Sequence, residues 1–291
     1  MSTARAFLGG IIDYAGLFPP ARLRMDDAVL EYARYRRSSD NDLLGRFILP
    51  ASRLGEFAGA AKSFVARDDP WKISAIVSAG NETDIDVISE FNAEQAGVVV
   101  DAIELPVHST GQVEWAANHF GKSFELFLEP PVTPDSTDLL SSIAKSGNSA
   151  KLRTGGVVPS AIPPAAAVLR FIQTCATLGL PFKATAGLHH AIRGQYSLTY
   201  ERDAPRGKMF GYLNVFLVAA FVRAGLPEPA LLDLLQEEEP SSITFSDAGV
   251  SWRGSVADAR CLADTRRSLA LSFGSCSFTE PVDEARQLHF I

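Results

Sequence analysis

Short β-branched or apolar runs alternate along most of the chain with longer amphipathic stretches, the pattern of repeated strand, crossover and strand units in a parallel sheet. The apolar runs fall at residues 8–14, 46–49, 72–77, 98–105, 124–128, 150–154, 182–186 and 269–273, and predict eight strands. The first closes at Gly16 and the Pro19-Pro20 pair and leads to a helix over 25–37. The sixth leaves through Gly155-Gly156 into a helix over 163–178 with proline in its first turn. Eight such units predict a closed (β/α)₈ TIM barrel, a single α/β domain over 1–291, since a barrel of this kind needs roughly 250 residues.

The spacing breaks after His190. The next strand begins at residue 269, far beyond the roughly 2–6 residues that usually join elements, so an insertion with its own structure, about 191–267, separates strands 7 and 8. It contains an apolar helix over 211–224, a second helix over 229–238, a hairpin over 243–252 turning at Asp247-Ala248-Gly249, and a helix over 256–267. A last helix spans 280–288. The insertion reads as a lid, a dimerisation arm or a mere decoration of the barrel, and its apolar helix suits a homodimer.

Composition narrows the function classes. With 46% apolar residues the chain can build a large core, and a net charge of -7 without any Lys/Arg run excludes nucleic acid as a partner. Cys175, Cys261 and Cys276 are odd in number and lack zinc-site spacing, which points to a reducing compartment. No basic-then-apolar leader appears, and no apolar run reaches the roughly 18 residues of a spanning helix. A cytoplasmic protein without a membrane partner is expected.

Candidate chemistry lies where polar residues interrupt apolar strands near their C-terminal ends, the active face of such barrels. These residues are Asp13, Asp101, Glu104, Glu125, Glu129, Lys151, Arg153, Lys183 and Thr185. Alternation along a strand puts Lys151 and Arg153 on one face, and Lys183, Thr185 and Gly187 on one face. The helix layer is apolar, so both lysines are expected inside the barrel. Buried ammonium groups need a partner or a depressed pKa. One reading is a structural network pairing Lys151 and Lys183 with Asp101 and Glu129. The other is nucleophilic: one lysine, kept partly neutral by its cationic neighbour, attacks a carbonyl to form a Schiff base while Asp101 carries protons. Gly155, Gly156, Gly187 and Gly274-Ser275, on adjacent exit loops, favour an anion or a small polar ligand held by backbone N–H groups.

The stretches Lys151-Leu-Arg-Thr-Gly-Gly156 and Phe182-Lys-Ala-Thr-Ala-Gly187 resemble the two lysine strands of the deoxyribose-phosphate aldolases, class I aldolases on a (β/α)₈ barrel. Ile12-Asp13-Tyr14 with the following Pro19-Pro20, Val100-Asp101-Ala102 and Phe273-Gly274-Ser275-Cys276-Ser277 are similar to three further motifs of that family. The resemblance implies Lys151 as Schiff-base lysine, Lys183 as the residue lowering its pKa and Asp101 as proton relay, with no cofactor and no metal. It implies a small carbonyl substrate bound among Asp13, Glu129, Arg153, Thr154, Gly155, Gly156, Thr185, Gly187, His189, Gly274 and Ser275. Gly156, Ala186 and His189 depart from the family's lysine, glycine and arginine, and Arg153 replaces a small residue, so the substrate's anionic group stays open between phosphate and carboxylate. Two other classes compete: a metal-dependent barrel enzyme using Glu104, Glu129 and His189 or His190, and a non-catalytic barrel binding a small metabolite.

Overall fold

Eight parallel strands close into a barrel in the computed structural model, which describes residues 2–81, 83–120, 123–133 and 136–291. They are β1 (Ile12–Tyr14), β2 (Leu44–Pro50), β3 (Trp71–Ile76), β4 (Val98–Pro106), β5 (Glu125–Glu129), β6 (Ser149–Arg153), β7 (Phe182–Thr185) and, after the insertion, β13 (Ala270–Ser275). Each pairs with the next, and β13 lies between β7 and β1 to close the ring. Alternation assigns the two faces. Phe47 packs its ring against Tyr14, Tyr32 and Phe57 in the helix layer, so Arg46 and Ile48 turn inward. On β6, Ala150 and Leu152 are fully buried in the apolar core, leaving Lys151 and Arg153 to the interior.

The chain start differs from expectation. Residues 3–8 form a helix, Thr3–Leu8, because Ser2 caps it by accepting from the Arg5 amide at 3.2 Å. Gly10, at φ +59°, then turns the chain, and only Ile12–Tyr14 is strand.

The insertion is also rearranged. Immediately after β7 comes an antiparallel hairpin that the pattern did not show, β8 (Gly194–Ser197) with β9 (Arg206–Met209). The helix Tyr212–Arg223 is the barrel's own seventh crossover. Every residue from Tyr212 to Phe221 is buried, and Tyr212 stacks on Phe273 of β13 at 5.0 Å. Its apolar character is therefore used within the chain and offers no face to a second copy. Asn214, the polar exception, is fully buried and satisfied by the Arg193 amide and by the Leu234 and Glu237 carbonyls, tying the helix to both its neighbours.

Helix Glu228–Leu235 packs outside it, followed by a three-stranded sheet of β10 (Ile243–Ser246), β11 (Gly249–Trp252) and β12 (Ser255–Asp258). Residues 256–258, expected to begin a helix, form the third strand, and the helix Ala259–Ser268 starts where Asp258 accepts from the Cys261 amide at 2.7 Å. Pro159–Leu178 has the length and hydropathy of a membrane span, 20 residues at 1.2, contrary to the reading of the apolar runs. In the fold it is a short 3₁₀ turn and the helix Ala165–Leu178, whose Val168, Leu169, Phe171, Ile172 and Cys175 face the core.

Candidate functional site

Six charged side chains from five strands form a ladder of alternating sign in the upper barrel. Arg153 Nε meets Glu129 Oε1 at 2.6 Å, and Glu129 Oε2 meets Lys151 Nζ at 2.8 Å. Lys151 also meets Glu104 Oε2 at 2.8 Å, Glu104 Oε1 meets Lys183 Nζ at 2.7 Å, and Lys183 ends on Asp13 Oδ2 at 2.5 Å. Each ladder bond joins opposite charges, so the cluster is neutral as a whole, which is how ions are tolerated at this depth. Lys151 and Lys183 are register partners on β6 and β7. Lys183 is 0% exposed and Lys151 5%.

Smaller groups complete the ladder. Ser74 donates to Glu104 Oε1 at 2.7 Å, Ser272 donates to Asp13 Oδ2 at 2.8 Å, and the Arg46 amide donates to Asp13 Oδ1 at 2.8 Å. The Lys183 ammonium lies 5.0 Å from the centre of the Phe127 ring. Gly45 is required here, because a Cβ on it would stand 2.3 Å from Asp13 Oδ1. Ser74 and Ser272 escaped the sequence reading; their one signal is a hydroxyl inside an otherwise apolar strand.

Asp101 does not join the lysines. It forms a bidentate pair with Arg46, at 2.6 and 3.2 Å, and lies 3.6 Å from Lys72, while Arg46 also reaches Glu125 at 2.7 Å. Arg46, Lys72 and Glu125 sit near the beginnings of their strands, so this second cluster closes the N-terminal end of the barrel. The reason is an irregularity in the β3–β4 register: Ile73 pairs with Val100 and Ser74 with Ala102, leaving Asp101 as the extra residue. The carboxylate between the lysines is Glu104.

The electrostatics also differ from expectation. Burial pulls the Lys151 pKa down, but the carboxylates of Glu104 and Glu129 outweigh it and hold the ammonium above its ordinary value. The resting amine is therefore charged rather than kept neutral by Lys183. Burial pushes Glu104 and Glu129 up, yet the adjacent cations hold both below the usual carboxylate range, Glu104 far below it.

The exit-loop glycines have packing reasons of their own. A Cβ on Gly155 would lie 3.2 Å from Gly187 Cα, so the loops after β6 and β7 touch backbone to backbone. Thr154 fastens them through Oγ1 to the Ala186 carbonyl at 2.6 Å and through its amide to the Thr185 carbonyl at 2.9 Å. Ala186 and Gly187 both take positive φ, +61° and +74°. A Cβ on Gly156 would meet Ala161, and one on Gly274 would crowd Ile48 and Thr185.

His189 belongs to another cluster, at the exit of β13. Its Nδ1 lies 3.3 Å from Ser275 Oγ and 3.7 Å from both Cys276 Sγ and Glu280, and burial together with His190 pushes its pKa down to about 4. Tyr200, from the loop of the β8–β9 hairpin, reaches Glu280 at 2.9 Å and Cys276 at 3.5 Å. His190 pairs with Glu284 at 3.2 Å. The set Glu104, Glu129 and His189 or His190 is not brought together, and the described residues contain no group of three or more His, Cys, Asp or Glu able to hold a metal ion.

Beside Arg153 and Glu129, the loops after β4, β5 and β6 border an open cleft of about 380 Å³. Pro106, Pro131, Val132 and Ile162 form much of its apolar wall, with His108 at one side. Such a volume suits a small organic ligand. Comparison with models of protein families gives no match, and comparison with curated proteins gives no significant relative.

Proposed function

We propose that the barrel mouth is a carbonyl site of the aldolase type, a lyase in which Lys151 forms a Schiff base with a small aldehyde or ketone. One observation carries this reading: of the two amines in the ladder, Lys151 is the one that keeps some exposed surface, and its partner Glu129 lines the cleft at the mouth. Lys151 is 5% exposed against 0% for Lys183, and it shares Glu129 with Arg153 at the edge of the cleft.

The resting ammonium must first lose a proton, and the acceptors in contact are Glu104 and Glu129, both at 2.8 Å. Glu129, nearer the mouth, takes the proton. The free Nζ attacks the carbonyl carbon, Glu129 returns the proton through the carbinolamine oxygen, and water leaves. The resulting iminium carries the same single positive charge as the ammonium it replaces. The carboxylates that hold the resting lysine therefore hold the intermediate, with no new charge to solvate. The iminium then accepts the electron pair of the bond between the α and β carbons while Glu129 takes the β-hydroxyl proton, leaving an enamine on Lys151 and a free aldehyde, the step that makes such a site a lyase. Lys183 acts as a positioning residue, fixing Glu104 and Asp13.

Because Lys151 is held above its ordinary pKa, adduct formation speeds up as pH rises from neutrality toward alkaline values. Borohydride reduction in the presence of a panel of small aldehydes and ketones, followed by peptide mass spectrometry, tests the reading. A stable adduct on Lys151, growing with pH and absent from Lys151→Arg, supports it. Adducts confined to exposed lysines such as Lys72 overturn it and leave a metabolite-binding barrel.

A further inference from the structure

We infer that the substrate is a 2-oxo acid with a short apolar chain, its carboxylate taken by Arg153. This deepens the Schiff-base reading of Lys151 and rests on it for the carbonyl, while the Arg153 half can be measured by itself.

The argument starts from Glu129. Its two oxygens are divided between two cations, Oε1 to Arg153 Nε at 2.6 Å and Oε2 to Lys151 Nζ at 2.8 Å. One carboxylate thus spans the gap between the guanidinium and the amine. A ligand carboxylate that replaces Glu129 on the Nε edge of Arg153 occupies the side of the guanidinium that Glu129 links to Lys151, so the carbonyl directly adjacent to that carboxylate is the one brought toward the nucleophile. That adjacency defines a 2-oxo acid.

Arg153 is built to receive such a group. Its side chain is 50% exposed, it contacts Glu129 through Nε, and its terminal nitrogens make no hydrogen bond among the described residues. A guanidinium edge presents two parallel donors that match a planar carboxylate in a bidentate pair. A phosphate competes less well, because the cleft beside Arg153 is walled mainly by proline and aliphatic side chains. That wall favours a hydrocarbon tail. When the ligand arrives, its carboxylate takes the Arg153 edge that includes Nε, exchanging the single contact of Glu129 for a bidentate one, and Glu129, no longer shared, keeps its full charge beside Lys151 and becomes the better proton acceptor.

The test is a matched series at fixed pH: pyruvate and 2-oxobutyrate, the neutral analogues hydroxyacetone and butanone, and dihydroxyacetone phosphate. Borohydride trapping at Lys151 should reach half-yield at a concentration about tenfold or more lower for the 2-oxo acids than for the neutral compounds, the worth of a charged bidentate contact. Arg153→Gln should bring that ratio close to one. Equal trapping of acids and neutral compounds, or a preference for the phosphate, overturns the carboxylate assignment while the Schiff-base reading stands. If no carbonyl is trapped at Lys151, the Schiff-base reading falls, and calorimetric titration with pyruvate decides the remainder: binding that disappears in Arg153→Gln keeps the carboxylate site, and no binding removes it.

Discussion

At its mouth the barrel interior holds Lys151 and Lys183 between Asp13, Glu104 and Glu129, with the lysine, aspartate and glutamate side chains 0–12% exposed. At its base Arg46 joins Asp101 and Glu125, and Lys72 stands nearby, with side chains 19–64% exposed. Both ends use paired opposite charges, but water reaches every group at the base and, at the mouth, chiefly the Arg153 end of the ladder. At the base, solvent shares the task of stabilising each ion, and a guanidinium that never loses its proton does the binding. At the mouth, each ion depends on its neighbours, and the cations in the middle are amines. Dependence on neighbours makes a group costly to disturb and open to control by a ligand that replaces one of them.

The comparison breaks most visibly at Lys183. Lys183→Met leaves Glu104 and Asp13 facing each other in a dry interior with one cation fewer, and the expected loss is about 3–5 kcal/mol, a large part of a typical domain's stability. Urea denaturation measures it. A loss below about 1 kcal/mol would mean that water enters the ladder and that mouth and base do not differ as described.

Gly45→Ala comes next. The added methyl would fall 2.3 Å from Asp13 Oδ1, so the carboxylate must swing off the Arg46 amide and the end of the ladder must shift. Overpacking of this kind costs about 1–3 kcal/mol. By contrast, Gly55, where a Cβ would meet nothing within 4 Å, should tolerate alanine with little change.

The first of these residues marks how far the sequence could be read. Eight alternating apolar runs are enough to predict the barrel and to put both lysines inside it, whereas their direct pairing across β6 and β7 is set by backbone register. Helix Tyr212–Arg223 is legible in the sequence as a helix, but whether it serves a lid, a dimerisation arm or the barrel itself is not, because apolar composition is the same whether a helix is covered by its own chain or by another. Asp101 and Glu104, three positions apart, have opposite parity in a regular strand, so only one of them could face the lysines. The irregular pairing of β4 with β3 lets both reach charged partners of the interior, at different depths, and one residue of slippage in backbone pairing leaves no trace in composition or periodicity.

Acid sharpens the contrast. Glu104 and Glu129 have folded pKa values below their unfolded ones, so the stability they contribute is fully present above the ordinary carboxylate value of about 4.3 and is lost as pH falls through the depressed folded values. Urea midpoints recorded from pH 7 down to about pH 2.5 should therefore be level at first and then fall below about pH 5. Glu129→Gln should make that fall shallower, since one of the depressed carboxylates is gone. An equally steep fall in the variant would show that other acids govern the limb.

The smallest effect is expected at Asp101, where the resemblance placed the proton carrier. Asp101→Asn removes the pair with Arg46 and the longer contact with Lys72, but Arg46 keeps Glu125 at 2.7 Å and solvent covers part of every group involved. The cost should be at most about 1 kcal/mol, the usual worth of a partly exposed pair. Borohydride trapping at Lys151 should proceed at the wild-type rate, because the carboxylates in contact with that amine are Glu104 and Glu129. The informative failure is a variant that keeps its thermal midpoint and circular dichroism yet traps nothing. Asp101 would then have to reach Lys151 during turnover, the base cluster would have to open, and the division between a working mouth and a structural base would be lost.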